Sequence, residues 1–309
     1  MVVFFVQLHF TTRVRYGFLS VQLNYTIRLK KITKAILTGA VIAGMFMAGG
    51  GGNSSSGSSS QKTNESALMQ KIKSSGKLTV GTASGFPSYE FLDTSASDGK
   101  KIDGIDIKLA EAVAKKLGVK LEIQDMTFQS LLSSLTTGKV DIAVSAINPT
   151  EERKKTVDFS DSYLEGKQTL LVRKEDAGKY KALSDFDGKR IGVQKSTIQE
   201  KLANEQIKNA QIVALPKVAD ALLELKAGKV DAVPVQNIVG GQYLLTNSDL
   251  SATNIYFSNY SGGAAVAVPK ESADVIKVIN EVIAENKANG NIDKWVDEMT
   301  KKAVENAKK

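Results

Sequence analysis

Apolar and polar residues follow two periods from Leu78 onward. The segment 77–82 predicts a short strand that ends in turn residues, and Val119, Leu121 and Ile123 alternate as a second strand. Between them, apolar positions recur at helical spacing as far as Gly118, and we expect Asp106 to cap this helix. The apolar helix positions are Leu109, Ala110, Val113, Ala114 and Leu117.

A second helix and a third strand follow directly. Leu131, Leu132 and Leu135 predict a helix that ends at Gly138, and residues 140–144 predict an apolar strand. Strands that alternate with helices favour a mostly parallel sheet, because each parallel pair needs a crossover connection. The pattern therefore predicts an α/β fold.

The chain then repeats itself. LTTGKVDIAV at 135–144 is echoed by LKAGKVDAVP at 225–234, and KLTVG at 77–81 is echoed more weakly by KRIGV at 189–193. We infer two related α/β units side by side. Ligands of open α/β sheets lie beyond the carboxyl ends of the strands, so two facing units would form a cleft for a small molecule.

The net charge of +8 is concentrated near the N-terminus. Six of the 41 basic residues and none of the 33 acidic residues lie in 1–52, which leaves 35 basic against 33 acidic residues in the rest of the chain. A nearly neutral body lacks the basic face that a phosphate backbone requires. We therefore expect no nucleic-acid partner.

Two absences in the composition exclude several kinds of chemistry. The chain has no cysteine, and its single histidine is His9. The folded body therefore has no disulfide, no Cys- or His-dependent nucleophile and no Cys- or His-ligated metal. We expect no metal or cofactor.

Residues 1–52 predict a leader. A basic stretch at 28–34 precedes an apolar run at 35–48 and then small residues, which is the pattern of a secretory signal peptide. The run is shorter than a membrane span, although a retained membrane anchor is the alternative. Residues 1–27 fit no part of a signal peptide, and our hypothesis is that translation begins at Leu29.

The leader resembles a lipoprotein signal that lacks its cysteine. Gly50 stands where the lipid-accepting cysteine would be, so the chain as written is not lipidated there. The Ser/Gly-rich composition that follows predicts a flexible tether, and residues 53–75 comprise this tether and the start of the first helix.

The body is similar to a known family. It resembles the polar amino-acid-binding solute receptors of ABC transporters, the group of the lysine/arginine/ornithine- and glutamine-binding proteins, from about Lys77 to Met299. The resemblance is carried by six stretches in the family's order: VGTASGFPSYEF at 80–91, IDGIDIKLA at 102–110, VDIAVSAINPTEER at 140–153, VDFSD at 157–161, GVQKSTIQE at 192–200 and GKVDAV at 228–233.

The resemblance implies a two-lobed type II periplasmic-binding-protein fold with two hinge crossings, near 164–170 and 256–266. Lobe 1 would comprise 76–165 and 266–309, and lobe 2 would comprise 166–265. The implied function is that of a monomeric extracytoplasmic receptor that closes around a free amino acid and delivers it to a membrane permease. ATP would be hydrolysed elsewhere, since the chain has no P-loop motif.

Arg153 occupies the family's carboxylate-binding position. A guanidinium binds a carboxylate through two parallel hydrogen bonds, and residues 148–152 predict a helix start that favours an anion. The alternative is that Arg153 pairs with Glu151, Glu152 or Asp158 on a solvated face.

Six further residues match ligand-contacting positions of the family. Each also has an alternative role. Ser145 and Asn148 fit a turn and an N-cap, and Phe86 and Phe128 fit core packing. The segment of Thr197 and Gln199 fits a helix start, in which Ser196 and Gln199 form a capping box. The resemblance implies that the two phenylalanines enclose the ligand side chain. It also implies that Thr197 and Gln199 reach the ligand from the second lobe.

Two positions depart from the family. The family commonly has an acid facing the ligand side chain where this chain has Ala83, and an Asp that holds the α-ammonium where this chain has Gln236. A buried ammonium needs an anionic partner, and Glu90 is the candidate that remains. We expect an uncharged polar amino acid as ligand.

Two other functions fit the same fold. One is a cleft enzyme such as a dehydratase or a lytic enzyme, for which Glu90 is the one acid–base candidate. The other is a ligand-sensing module that acts on a signalling partner. We expect no catalysis.

Overall fold

Strands from distant parts of the chain combine in one five-stranded sheet, which we call the first sheet. Its order is β4-β1-β5-β12-β6, in which β1 pairs parallel with β4 and β5, and β12 pairs antiparallel with β5 and β6. The strands are β1 Lys77–Thr82, β4 Lys120–Asp125, β5 Ile142–Ala143, β6 Val157–Phe159 and β12 Ala267–Pro269. A two-stranded ribbon, β2 Phe91–Leu92 with β3 Ile102–Asp103, lies outside this sheet.

These elements come from a computed structural model that describes residues 65–96, 101–258, 260 and 262–308. The predicted leader at 1–52 and most of the predicted tether lie outside the described residues. Within those ranges, no helix is long and apolar enough to cross a membrane.

Five helices accompany the first sheet: α1 Ala67–Ser75, α2 Ile105–Leu117, α3 Phe128–Thr136, α7 Ala273–Ala288 and α8 Asn291–Ala307. The apolar face of α2 buries Leu109 and Val113 against Ile279 and Ile283 of α7, because the helical period places these residues on one side. The predicted cap of α2 is wrong. Gly104 is the N-cap, and Asp106 lies fully buried in the first turn.

The remaining strands form what we call the second strand group. β10 (Val233–Gln236), β7 (Gln168–Arg173) and β11 (Leu250–Tyr256) pair antiparallel in that order, and β8 (Arg190–Gln194) pairs parallel with β9 (Gln211–Leu215). A bridge between Ile191 and Ala232 connects the two pieces. Helices α4 Ile198–Gln206, α5 Val218–Lys226 and α6 Asn237–Thr246 accompany them.

Two segments run between the first sheet and the second strand group. They lie side by side, because Leu164 and Ala264 form an antiparallel bridge in which the Ala264 N–H donates to the Leu164 carbonyl over 2.8 Å. The sheets are thus mixed: the helix-linked strands are parallel, and the strands that the crossing segments enter or leave are antiparallel. The residue-level lobe boundaries stay a prediction.

The sequence repeat has a structural counterpart. After α3 and after α5 the chain turns through a left-handed glycine, Gly138 at φ 71° and Gly228 at φ 70°. Asp141 then accepts from the Thr79 N–H over 2.8 Å, and Asp231 accepts from the Arg190 N–H over 2.9 Å. Each aspartate therefore holds the helix–glycine–strand step against a neighbouring strand, β1 in one unit and β8 in the other.

Candidate functional site

A cavity is lined by residues of both the first sheet and the second strand group. It lies where β1, β5, β8 and β10 end, the position at which open α/β folds bind ligands. The residues that line it at these strand ends are Ala83, Ser145, Gln194 and Gln236. Eight of the nine predicted site residues line this cavity, and Arg153 lies in an adjoining groove.

The two predicted aromatic residues form apolar walls. Phe86 belongs to a tight turn in which its N–H donates to the Glu90 carbonyl and the Glu90 N–H donates to the Phe86 carbonyl, each over 3.0 Å. Phe128 is the first residue of α3 and lines both the cavity and the adjoining groove. The turn therefore fixes one wall, while Phe128 separates the cavity from the groove.

Arg153 is held between the two halves of the molecule. Its Nη1 donates to the Asn148 carbonyl over 2.8 Å, and its Nη2 donates to the Ser196 carbonyl over 2.7 Å. The guanidinium carbon lies 5.5 Å from the centre of the Phe128 ring. Burial lowers the pKa of Arg153 to about 10, because the charged form loses solvation.

The alternative ion pairs of Arg153 do not form. Glu151 pairs with Lys154 at 2.8 Å and Asp158 pairs with Lys270 at 2.6 Å, and no carboxylate within the described ranges lies in salt-bridge distance of the Arg153 guanidinium. Two carbonyl oxygens use two of its five N–H groups. The half-buried side chain thus has no carboxylate in salt-bridge distance in the described chain, and the charge of Glu152 acts on it only from farther away.

The predicted helix start before Arg153 is wrong. Only one 3₁₀ turn forms, Arg153–Lys155, and the Thr150 hydroxyl accepts from the Arg153 N–H over 3.2 Å. The proline at position 149 and the buried Asn148 keep the preceding segment extended or turned. A single short turn has little dipole, so the guanidinium supplies the positive charge here.

Ser145 and Asn148 both face buried partners. The Ser145 hydroxyl donates to Oε1 of Glu90 over 2.8 Å. The Asn148 amide donates to the Tyr260 hydroxyl and, over 3.1 Å, to the Gly263 carbonyl. Asn148 is therefore not a helix cap: its amide fixes the segment that returns from the second strand group.

The second strand group contributes the start of α4. Thr197 is the N-cap, and its hydroxyl accepts from the Glu200 N–H over 3.2 Å. The Ser196 N–H donates to the Glu200 carboxylate over 2.6 Å, so Glu200 and not Gln199 pairs with the start of the helix. Gln199 is thereby left out of the capping box and donates to Oε1 of Gln168 over 2.8 Å inside the cavity wall.

Glu90 and Asp106 form a buried pair of acids. Burial raises the pKa of Glu90 well above its usual range, and the charge of nearby Asp106 raises it further. Burial also raises the pKa of Asp106, which accepts from the Tyr163 hydroxyl over 2.6 Å and from the Ala146 N–H over 2.7 Å. The two carboxyl groups are within hydrogen-bonding reach of each other.

Comparisons with known proteins agree with this architecture. Residues 78–302 match the bacterial extracellular solute-binding proteins, family 3. The chain belongs to this family. Solute-binding proteins of family 3 are extracellular by that description, and the resemblance to amino-acid ABC-transporter receptors and the two-lobed type II fold are confirmed.

Individual solute-binding proteins are similar over most of their length. The arginine-binding extracellular protein ArtP of Bacillus subtilis is 34% identical over 71% of this chain and 84% of the relative. The substrate-binding protein AbpA of Streptococcus pneumoniae, bound to L-arginine, is 36% identical with a TM-score of 0.73, over 76% of this chain and 99% of that one. An ancestral amino acid-binding protein, a precursor of cyclohexadienyl dehydratase, is 31% identical with a TM-score of 0.68, over 76% and 100%.

The two departures from the solute-binding family lie in the cavity wall. Ala83 directly follows β1, and Gln236 ends β10 with 2% of its surface exposed. The Gln236 oxygen Oε1 is buried and accepts no hydrogen bond from the described residues. Of the residues that line the cavity in the described chain, Glu90 is the one with an ionisable side chain.

Sequence reasoning missed several residues of this candidate site. Asp106 appeared only as a helix cap, although it lies behind Glu90. Gln168 and Gln194 line the cavity, and Tyr243 donates to the Gly85 carbonyl over 3.1 Å. Gln168 and Gln194 are single polar residues at the ends of apolar strands, a signal that identifies a site only after the strand ends are known to converge.

Proposed function

We propose that the chain binds one free α-amino acid in this cavity and delivers it to the membrane permease of an ABC importer. In this proposal the Arg153 guanidinium grips the α-carboxylate at the junction of the cavity and the adjoining groove. Phe86 and Phe128 enclose the side chain. The receptor acts as an exported monomer, and residues 28–48 direct its export.

One observation carries the proposal. Arg153 is a half-buried cation with no carboxylate in salt-bridge distance among the described residues, and removing an unpaired charge from water costs free energy. A ligand carboxylate would remove that cost through charge-assisted hydrogen bonds. The L-arginine in the AbpA structure is an α-amino acid with such a carboxylate.

The mechanism that follows is hinge closure. Arg153 donates to Ser196 across the two halves, so an anion that binds Arg153 is also brought close to the start of α4. The ligand favours closure only through contacts that exist in the closed state. Closure therefore presents the permease with a surface that depends on the ligand.

A thermal-shift screen of the twenty amino acids tests this proposal. A ligand that binds only the folded state raises the melting temperature, so we expect a shift with at least one amino acid in the wild type. Arg153→Ala should lose that shift. Arg190→Ala is the matched control: Arg190 pairs with Asp231 at 2.7 Å and does not line the cavity, so it should lower the baseline but keep the ligand shift.

The same samples separate binding from catalysis. If the receptor only binds, the amino acid is recovered unchanged after long incubation, as measured by mass spectrometry. Turnover would favour the cleft enzyme, and a normal shift in Arg153→Ala would refute the role of the guanidinium.

A further inference from the structure

The cavity holds two buried acceptors that lack donors. Oε2 of Glu90 and Oε1 of Gln236 are both buried without a hydrogen-bond partner among the described residues, and the Tyr89 hydroxyl near Gln236 is likewise without a partner. The Glu90 and Gln236 side chains line the same cavity. Buried acceptors without donors destabilise a protein, which indicates that a ligand rich in N–H groups completes the site.

The Glu90 carboxyl does not stand alone. Asp106 lies behind it, within hydrogen-bonding reach, and both side chains are almost completely buried, at 1% and 0% exposure. Two adjacent buried carboxyl groups do not both ionise without a cation, since their charges repel in a region of low dielectric. In the described structure, hydrogen-bond donors reach the pair from Ser145, Ala146 and Tyr163, and none of them is charged.

The tyrosines around the pair do not exchange protons near neutral pH. Burial raises the pKa of three tyrosines around the pair, so their hydroxyls stay protonated. Asp125 adds a further negative charge. The titratable and charged groups around Glu90 are Asp106 on α2, Asp125 at the end of β4, Tyr89 in the adjacent turn, Tyr163 in the first crossing segment and Tyr243 on α6.

We propose that the Glu90–Asp106 pair carries one shared proton in the unliganded receptor and releases it when a cationic group of the ligand docks beside Glu90. The proposal rests on the proposed function, because the cation is a group of the bound amino acid. Gln236 would accept a hydrogen bond from the same group. The pair would thus supply the negative charge that the family's acidic residues supply at the positions of Ala83 and Gln236.

The proton balance sets the pH dependence. Docking a cation favours the doubly ionised pair, so the proton passes to solvent as the ligand binds. At lower pH the proton is harder to displace, and the affinity falls. At higher pH the unliganded pair has lost the proton already, so the affinity no longer changes. The affinity for the amino acid should therefore rise with pH through the range in which the unliganded pair titrates.

Calorimetry with the amino acid from the screen tests this mechanism. Titrations at pH 7 in buffers of different ionisation enthalpy measure the protons released per bound ligand. We expect release from the wild type and none from Glu90→Gln, which keeps the shape of the side chain. Affinity should fall roughly tenfold or more in this variant, since a charge-assisted hydrogen bond becomes a neutral one.

Glu122→Gln is the matched control. Glu122 is half exposed and pairs with Lys77 on the surface, so both affinity and proton release should match the wild type. Release with every amino acid that binds would assign the α-ammonium as the cation, and release with lysine or arginine alone would assign the side chain. Binding without proton release in the wild type, or equal release from Glu90→Gln, would overturn the proposal. Failure of every amino acid to bind would instead refute the proposed function.

Discussion

At the residue scale, one glycine brings the two acids of the site together. Gly104 has φ 146° and ψ 177°, and a Cβ there would lie 2.0 Å from the Tyr89 carbonyl oxygen and 2.9 Å from the Glu90 Cα. The close approach lets the Asp106 N–H donate to the Tyr89 carbonyl over 3.0 Å. Without a side chain at 104, the start of α2 packs directly on the turn that carries Glu90.

Gly104→Ala should therefore be strongly destabilising. This region of φ and ψ is essentially restricted to glycine, and the added Cβ meets backbone that has no room to move, so we expect a loss of at least about 3 kcal/mol. Urea denaturation measures the free energy of unfolding.

Gly138→Ala provides the control at a second left-handed glycine. A Cβ at Gly138, φ 71°, would meet no atom within 4 Å, so the loss should be limited to about 1–2 kcal/mol. Equal losses in the two variants would contradict the packing role of Gly104.

At the element scale, the repeated helix–glycine–strand step explains how the strand ends are aligned. In each unit, a strand glycine leaves room for the side chain of a valine in the repeated step. A Cβ at Gly81 in β1 would lie 3.2 Å from Val140, and a Cβ at Gly192 in β8 would lie 3.1 Å from Val230. The aspartate after each valine binds the start of that strand. The end of each step is thereby fixed against the strand that lines the cavity.

Removing the aspartate should loosen this alignment. Asp141 is 2% exposed and accepts from the buried Thr79 N–H, so Asp141→Ala should cost about 1–3 kcal/mol of unfolding free energy. Asp249→Ala, which removes a half-exposed partner of Lys226, should cost at most about 1 kcal/mol in the same denaturation experiment. A result in which both losses are equal would show that the repeat has no structural role.

Elements and strand ends were predictable because their signals are local. The periods of α2 and β1, the stops at Gly118 and Gly138 and the two copies of the step are all visible in the sequence. The capping residues were misassigned by one or two positions, because several polar residues near a helix start can serve as caps and tertiary contacts select among them.

The site was predictable only in part. The resemblance named residues that the structure brings to one cavity, but the acid pair depends on a contact between Glu90 and a helix residue 16 positions later in the chain. No periodic pattern encodes that contact. It follows from the packing of α2 on the turn at 85–90, which Gly104 permits.

At the scale of the whole molecule, the two halves meet through hydrogen bonds that involve the site. Arg153 donates to Ser196, Tyr243 donates to Gly85 and Asn148 donates to Tyr260. Apolar packing adds to these bonds, because Val239 of α6 lies in the same core cluster as Met299 and Ala303 of α8. A ligand carboxylate on Arg153 would add charge-assisted bonds and shift the population toward closure.

Small-angle X-ray scattering, with the amino acid that passes the screen, measures this closure most directly. The radius of gyration of the wild type should fall with the amino acid, stay unchanged with the corresponding amine that lacks the carboxylate, and stay unchanged in Arg153→Ala with either compound. A decrease with the carboxylate-free amine, or an undiminished decrease in Arg153→Ala, would contradict a receptor that closes around the acid group of its ligand.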